Sequence, residues 1–215
     1  MRALPTLILL LVACVLALPV LAVIGQWTQW DAQTADILRE MAATVLPEYL
    51  WVTLQLVVMV GIGVVAMGVP AAVLVTVFDF PGRRSFEWLL LLPLAMPAYV
   101  TAYAYTDFLQ FSGPLQSWLR ASFGLEGRLL PEVRSVWGAA WVFSFSLYPY
   151  VYLLSRTALA ERAPQLMEAA RLLGASLPRR LREVALPMAR PAVAAGTALA
   201  LMEVLADYGV SVYFG

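Results

Sequence analysis

Long apolar runs alternate with short polar segments along most of this 215-residue chain. A bilayer core about 30 Å thick is crossed by roughly 20 helical residues, and five runs reach or approach that length. They cover residues 4–24, 50–78, 86–111, 136–154 and 191–214. Backbone polar groups facing lipid are satisfied only in helices or closed barrels, and runs this long and continuous favour helices. The pattern therefore predicts an all-α polytopic membrane protein with about five transmembrane helices.

Prolines and glycines lie inside several of the predicted spans. The prolines are Pro70, Pro93, Pro97 and Pro149. Each removes an amide donor and favours a kink, while the glycines within residues 61–68 allow helices to approach closely. We therefore expect a packed bundle of bent helices. The polar segment 112–135 predicts an outer loop, with a short interfacial helix near 115–123.

The arginines determine the predicted orientation. If the N-terminus is cytoplasmic, four of the 14 arginines lie outside and the other ten lie inside. The four outside are Arg39, Arg120, Arg128 and Arg134. An excess of basic residues in cytoplasmic loops is the usual rule, and the flipped topology would invert the ratio. The loop 155–190 is therefore predicted to face the cytoplasm.

Composition supports a membrane protein and excludes several chemistries. The chain is 62% hydrophobic and 13% charged, whereas about a quarter of a soluble domain is charged. It has no lysine, so it cannot contain a P-loop for ATP hydrolysis. The lack of histidine excludes His-ligated metals and Ser-His catalysis, and the single thiol, Cys14, excludes an internal disulfide. We expect no catalytic residue, no metal ligand set, no bound cofactor and no nucleic-acid partner.

The loop 155–190 has a helical pattern of its own. Pro164 suits a first helical turn, Gly174 suits a helix C-terminus, and Ser176 suits the cap of a second helix ended by Pro187. One apolar stripe continues across the bend, formed by Leu166, Ala170, Leu173, Leu177, Leu181 and Val184. Such a stripe is typical of an interfacial helix lying on lipid or of a docking element for another protein. The pattern alone leaves both interpretations open.

The sequence EAARLLG, followed by nine residues and VALP, resembles the EAA loop of permease subunits of type I ABC importers. The matching positions are Glu168, Ala169, Ala170, Gly174, Leu186 and Pro187, with Val184 in place of the usual isoleucine. Residues 92–116 and 201–209 are similar to the ferric-iron branch of these permeases. Importers for polyamine, thiamine, sulfate and phosphonate share similar spans, so the substrate stays open among these.

The resemblance implies a division of labour between subunits. The loop 155–190 would contain a coupling helix that docks on a dimer of ABC ATPase subunits, which bind ATP-Mg. A periplasmic substrate-binding protein would deliver the substrate, with ferric iron as the first choice, to a permease in the bacterial inner membrane. In this scheme Gly174 permits the bend, and Ala169 and Ala170 allow close approach. Glu168 pairs with a partner cation, caps local backbone or remains a solvated surface charge.

Three carboxylates, Asp107, Glu203 and Asp207, lie in or near the predicted spans. An ionisable side chain at membrane depth suggests function, because exposing it to lipid costs several kcal/mol. Glu203 and Asp207 are four residues apart and share one face of a continuous helix. They either line a translocation path for a cation or lie near the outer water interface and bond to neighbouring helices. We favour the second interpretation.

The resemblance is incomplete in length. Ferric-iron permeases of this kind usually have two homologous halves and two EAA loops, whereas this sequence has one. We therefore expect an N-terminal portion of such a permease, without the C-terminal spans, or a chain that pairs with a second permease. Two alternatives come from other classes, namely a membrane scaffold that transports nothing and an intramembrane enzyme that uses Glu203 and Asp207.

Overall fold

The computed structural model describes residues 3–26 and 32–214, and every regular element in these ranges is helical. The helices are α1 Ala3–Gln26, α2 Ala32–Ala43, α3 Leu46–Val77, α4 Arg83–Leu89, α5 Ala98–Leu109, α6 Pro114–Phe123, α7 Val136–Leu172, α8 Leu177–Arg180, α9 Leu186–Ala206 and α10 Tyr208–Phe214. A 3₁₀ turn, Leu92–Ala95, precedes α5, and a π-turn, Leu181–Ala185, joins α8 to α9. The all-α prediction is confirmed. Residues 1 and 2, predicted to be cytoplasmic, lie outside the described ranges.

The chain divides into two compact units, residues 1–51 and 52–215. The first unit contains α1, which is apolar along its length, and α2, which carries an exposed ion pair between Arg39 and Asp36. The second unit contains most of α3 and everything that follows it, including the loop between α7 and α9.

Two helices in the described residues are long and apolar enough to cross a membrane. They are Leu46–Val77 and the continuous stretch Leu177–Ala206, in which α8, the π-turn and α9 follow one another. A third candidate is the pair Arg83–Ala95 and Ala98–Phe123, bent by 94°. The predicted span 136–154 lies within α7. In α1 the apolar stretch Leu10–Gln26 is shorter than these, so the count of five spans stays a prediction.

The bend in the third predicted span has a local cause at Pro97. Met96 is extended, with φ −110° and ψ 128°, because a residue before proline is pushed out of the helical region. Residues 86–111 therefore form α4, the 3₁₀ turn and α5 in place of one straight helix. The bent helices expected from the prolines are confirmed at this position.

Helix α7 lies at the centre of the second unit and contacts α5, α9, α10 and the 3₁₀ turn. Glycines allow the backbones on two sides of α7 to come close. A Cβ added to Gly68 of α3 would lie 2.8 Å from Cβ of Val151, and one on Gly196 of α9 would lie 2.7 Å from Cα of the same valine. Close approach through small residues is how helices pack where water supplies no hydrophobic drive.

The helix predicted near residues 115–123 is present as α6, and a buried glutamine fixes it. The Gln116 amide nitrogen donates to the Leu109 carbonyl at 2.7 Å, and its amide oxygen accepts from the Leu129 backbone N–H at 3.1 Å. One side chain thus connects the end of α5, α6 and the segment before α7.

Two proline assignments from the sequence are wrong. Pro164 lies inside α7, which runs unbroken to Leu172, so no separate helix begins there. An interior proline removes one backbone bond and crowds one carbonyl, and the helical turns on either side of Pro164 are retained. Pro187 does not end a helix but lies in the first turn of α9. The Leu186 N–H bonds to the Leu181 carbonyl, and this π-type step places Pro187 where a helix tolerates proline.

Candidate docking site at the Gly174 bend

Gly174 forms the sharp bend between α7 and α8. Its φ is +82°, its N–H donates to the Arg171 carbonyl at 2.9 Å, and the Ala175 N–H donates to the Ala170 carbonyl at 3.0 Å. These two bonds form a Schellman motif, in which the residue after the helix takes a left-handed conformation that favours glycine. The predicted position of Gly174 at the helix C-terminus is confirmed.

Ser176 stands at the position predicted for a helix cap, but its side chain makes no capping bond. Its backbone is extended, and its carbonyl accepts the Arg180 N–H at 3.0 Å. Pro178 follows in the first turn of α8, as the sequence predicts. The backbone conformation and the proline therefore start this helix.

Residues from both sides of the bend line one open groove of about 530 Å³. On one side its lining is Leu166, Ala169 and Ala170 of α7 with the next residue after that helix, Leu173. On the other side it is Glu183 and Val184 of the π-turn with Pro187 and Met188 of α9. Four of the seven residues that resemble the EAA loop thus share one surface, although VALP follows EAARLLG only after nine further residues. The small alanine side chains leave the α7 wall of the groove shallow.

The other three residues of the EAA resemblance lie beside this groove. Gly174 forms the bend itself, and Leu186 is 36% exposed outside the groove lining. The Glu168 carboxylate lies 3.8 Å from the Arg171 guanidinium, with both side chains largely exposed. An exposed pair at that distance contributes little stability, so Glu168 remains available to a partner cation.

Exposed leucines at the bend extend the apolar surface. Leu173, which the predicted stripe included, is 88% exposed, and Leu172, which the stripe omitted, is 82% exposed. Two adjacent leucines this exposed enlarge the apolar surface beside the groove. The sequence signal that could have identified Leu172 as part of this surface is the pair of consecutive leucines just before the glycine that ends the helix.

An ion pair that the sequence did not reveal lies at the start of the loop 155–190. Arg156 of α7 donates to the Glu87 carboxylate of α4 at 2.7 Å, and Tyr152 donates to the Glu87 carbonyl at 3.2 Å. Arg83 lies 3.5 Å from the same carboxylate. Glu87 thus connects α4 to α7 through two side chains one helical turn apart, Arg156 and the fully buried Tyr152.

Residues 65–215 match a protein family described as the inner membrane component of binding-protein-dependent transport systems. The match covers most of the chain, including the groove and both helices that form it. The chain belongs to this family of transport permeases.

Individual relatives of the permease are named for different ions. It is 30% identical to the sulfate transport system permease protein CysT of Salmonella typhimurium, over 95% of this chain and 71% of the relative. It is 31% identical to CysW, a second sulfate transport system permease protein, of Escherichia coli, over 83% of this chain and 60% of the relative. The Fe(3+)-transport system permease protein FbpB 2 of Haemophilus influenzae is 26% identical over 95% of this chain and 36% of its own length.

The three carboxylates of the permease do not form one site. Asp107 is exposed near the end of α5 and accepts from the Gln110 amide at 3.2 Å. Helix α9 ends at Ala206, so the helix face that Glu203 and Asp207 were expected to share is not formed. Asp207 instead accepts the Val210 N–H at 2.7 Å and caps α10, while Glu203 is exposed. No three His, Cys, Asp or Glu side chains cluster within residues 3–26 and 32–214.

Proposed function

We propose that the loop 155–190 couples this permease to a dimer of ABC ATPase subunits, which supply the energy for import. The observation that carries the proposal is the open groove at the Gly174 bend, where Ala169, Ala170, Val184 and Pro187 lie together. Small side chains in one wall allow a partner to approach the α7 backbone closely, as a docking surface requires.

The groove has the composition of a protein interface. Its walls are mostly apolar, and two ion pairs lie at or beside its edge, Glu168–Arg171 and Arg179–Glu183. An apolar centre within a polar rim is typical of protein interfaces, whereas a helix lying on lipid presents an unbroken apolar face. Of the two occupants that the sequence left open, we therefore favour a protein.

The partner must bring the ATP-hydrolysing machinery. The permease has no lysine and therefore no P-loop of its own, so ATP-Mg would bind on the ATPase subunits. A catalytic role for Glu203 and Asp207 gains no support from their geometry, because Asp207 is engaged as a helix cap.

The proposed topology places the N-terminus and the Gly174 bend in the cytoplasm. The multi-pass permease would lie in the bacterial inner membrane and accept substrate from a periplasmic binding protein at the opposite face. A second permease chain or half would complete the path. Two differently named permease proteins, CysT and CysW, are assigned to the sulfate transport system of Escherichia coli, which supports pairing of this kind.

The substrate we propose is a small inorganic ion, with ferric iron and sulfate as the two candidates. Ferric iron is favoured by the resemblance of residues 92–116 and 201–209 to that branch, and a relative named for Fe(3+) matches 95% of this chain. Sulfate has comparable support from relatives at 30% and 31% identity. Uptake of labelled sulfate and of labelled ferric iron by cells with and without the gene distinguishes the two.

Retention of an ATPase subunit tests the docking proposal directly. The permease, co-expressed with an ABC ATPase subunit from the same organism, is purified in detergent, and the ATPase that co-purifies is quantified. We expect the wild type to retain it and Ala170→Trp, which fills the groove, to lose most of it. Ala121→Trp on the exposed face of α6 adds the same side chain far along the chain and should retain the ATPase.

Two results would contradict coupling at this groove. One is equal ATPase retention by the wild type and Ala170→Trp. The other is full substrate uptake by a variant that no longer retains the ATPase, which would show that uptake does not depend on docking at this groove.

A further inference from the structure

A second cavity lies at the same bend, on another side of the loop helices. It has a volume of about 390 Å³. Its lining is Thr76 and Val77 of α3, Leu159, Pro164, Met167 and Arg171 of α7, Leu177 and Arg180 of α8, and Ala185 of the π-turn. None of these residues lines the groove or belongs to the seven matches with the EAA loop.

The charges in this cavity are of one sign. Arg171 and Arg180 both line it, and no Asp or Glu is among its described lining residues. Of the acidic side chains on the elements around it, Glu168 reaches Arg171 only at 3.8 Å, and Glu183 is hydrogen-bonded to Arg179 at 2.9 Å. The two arginines that line the cavity therefore carry positive charge that the neighbouring carboxylates do not fully balance.

One of these guanidinium groups has a buried donor without a partner. Nε of Arg180 is buried and makes no hydrogen bond within the described part of the chain. A buried N–H of a charged group is costly when it stays unsatisfied, so a donor of this kind requires an ion or a water. Guanidinium groups match the oxygen atoms of tetrahedral oxyanions in charge and geometry.

We propose that this cavity binds a tetrahedral oxyanion, held by Arg180 and Arg171. The ligand chemistry is that of inorganic phosphate or sulfate, or of the phosphate in an anionic lipid headgroup. The bound oxyanion would contact α3 and both sides of the Gly174 bend, so it would hold the bend against the end of a predicted span. This site needs no ATPase and is separate from the coupling proposal.

Thermal unfolding of the full permease in a neutral detergent tests the site. Inorganic phosphate is titrated against chloride at constant ionic strength, because a ligand that binds only the folded state raises the unfolding midpoint. We expect phosphate to stabilise the wild type. Arg180→Met should need roughly tenfold more phosphate for the same shift, since it loses a charge-assisted hydrogen bond.

Two further variants keep the result interpretable. Arg171→Met changes a largely exposed side chain, so it should fold normally and still weaken the phosphate response severalfold. Arg182→Met is the matched control, because Arg182 is exposed on the same stretch of helix and does not line the cavity. Its phosphate response should equal that of the wild type.

A titration in lipid nanodiscs distinguishes a free anion from a lipid headgroup as the source of the oxyanion. The titration is repeated in nanodiscs of phosphatidylcholine and in mixed phosphatidylcholine–phosphatidylglycerol discs. If the lipid headgroup occupies the site, the anionic discs stabilise the wild type but not Arg180→Met, and added phosphate has no further effect there. If a free anion occupies it, phosphate stabilises equally in both discs. Two results would overturn the proposal. One is that neither phosphate nor phosphatidylglycerol raises the unfolding midpoint of the wild type above its value in chloride or phosphatidylcholine. The other is that they raise the midpoint of Arg180→Met as much as that of the wild type.

Discussion

Arg156 and Glu87 are 69 positions apart in the sequence, yet the guanidinium of one lies 2.7 Å from the carboxylate of the other. The pair joins α4 to α7 where the side chains are mostly shielded, with 35% and 20% of their surfaces exposed. A second arginine, Arg83, lies on the other carboxylate oxygen. Two cations around one half-buried carboxylate stabilise more than an isolated surface pair does.

A double-mutant cycle on this pair should show clear coupling. We expect Glu87→Gln and Arg156→Met each to lower the free energy of unfolding by about 1–3 kcal/mol. The first leaves the shielded Arg156 unpaired, and the second leaves Glu87 with only the longer 3.5 Å contact to Arg83. The double variant should lose less unfolding free energy than the sum of the losses of the two single variants. Reversible unfolding in mixed micelles measures all four proteins. The exposed Asp36–Arg39 pair is the control, and additive effects at Glu87 and Arg156 would contradict the coupling.

Substitution of Gly174 should impair ATPase retention beyond its effect on folding. Gly174→Ala forces an ordinary residue to adopt φ +82°, which costs about 1 kcal/mol. Gly127 is the matched control, since its φ is +81° and a Cβ at either glycine meets nothing within 4 Å. Both alanine variants should lose similar stability in thermal unfolding, whereas only Gly174→Ala should lower ATPase co-purification. Equal retention by the two variants would show that the bend angle is unimportant for docking.

Two helical glycines should respond in opposite directions to alanine. A Cβ on Gly196 would lie 2.7 Å from Cα of Val151 and force α7 and α9 apart, whereas one on Gly61 meets only leucine and threonine methyls at 3.9 Å or more. Gly196→Ala should therefore destabilise the permease by about 1–3 kcal/mol. Gly61→Ala should be neutral or stabilising by up to about 1 kcal/mol, because alanine favours the helix. Unfolding in mixed micelles distinguishes the two, and destabilisation by both would contradict the packing described.

Substitutions of Asp207 distinguish two roles for its carboxylate, capping of α10 and lining of the translocation path. Its carboxylate accepts the Val210 N–H at 2.7 Å, and asparagine caps helices nearly as well as aspartate. If capping is its role, Asp207→Asn should keep both stability and substrate uptake, while Asp207→Ala loses about 1 kcal/mol. Uptake and thermal unfolding are measured together. Loss of uptake by Asp207→Asn at unchanged stability would instead show that the negative charge serves the path.

The features set by local sequence were predictable. Apolar runs predicted the helices α1, α3 and α9, and residues 115–123 predicted α6, because length and polarity decide both. The Gly174 bend followed from glycine at a helix end with an apolar pattern on either side. These features depend on neighbouring residues alone, so one sequence was sufficient to predict them.

The features set by packing or by a shift in helical register were not predictable in the same way. Pro164 and Pro187 carry the usual signals of a helix boundary, yet the helices continue through both. The Glu87–Arg156 pair forms because α4 and α7 pack side by side at the level of these two residues. No local sequence pattern indicates that packing. Likewise, the spacing of Glu203 and Asp207 predicted a shared face, and the helix end at Ala206 removed it.

The π-turn at Leu181–Ala185 sets the rotational phase of α9. An α-helix advances by about 100° per residue, and a π-turn acts as a one-residue insertion into that repeat. Removing one residue from this turn would restore α-helical bonding and rotate everything after it by about that angle. If Gly196 kept its contact with Val151, Val184 and Pro187 would rotate out of the groove. If Val184 and Pro187 stayed in the groove, Gly196 would lose its contact with Val151. The groove and the α7–α9 contact therefore stay in register with each other because the π-turn supplies this one-residue offset.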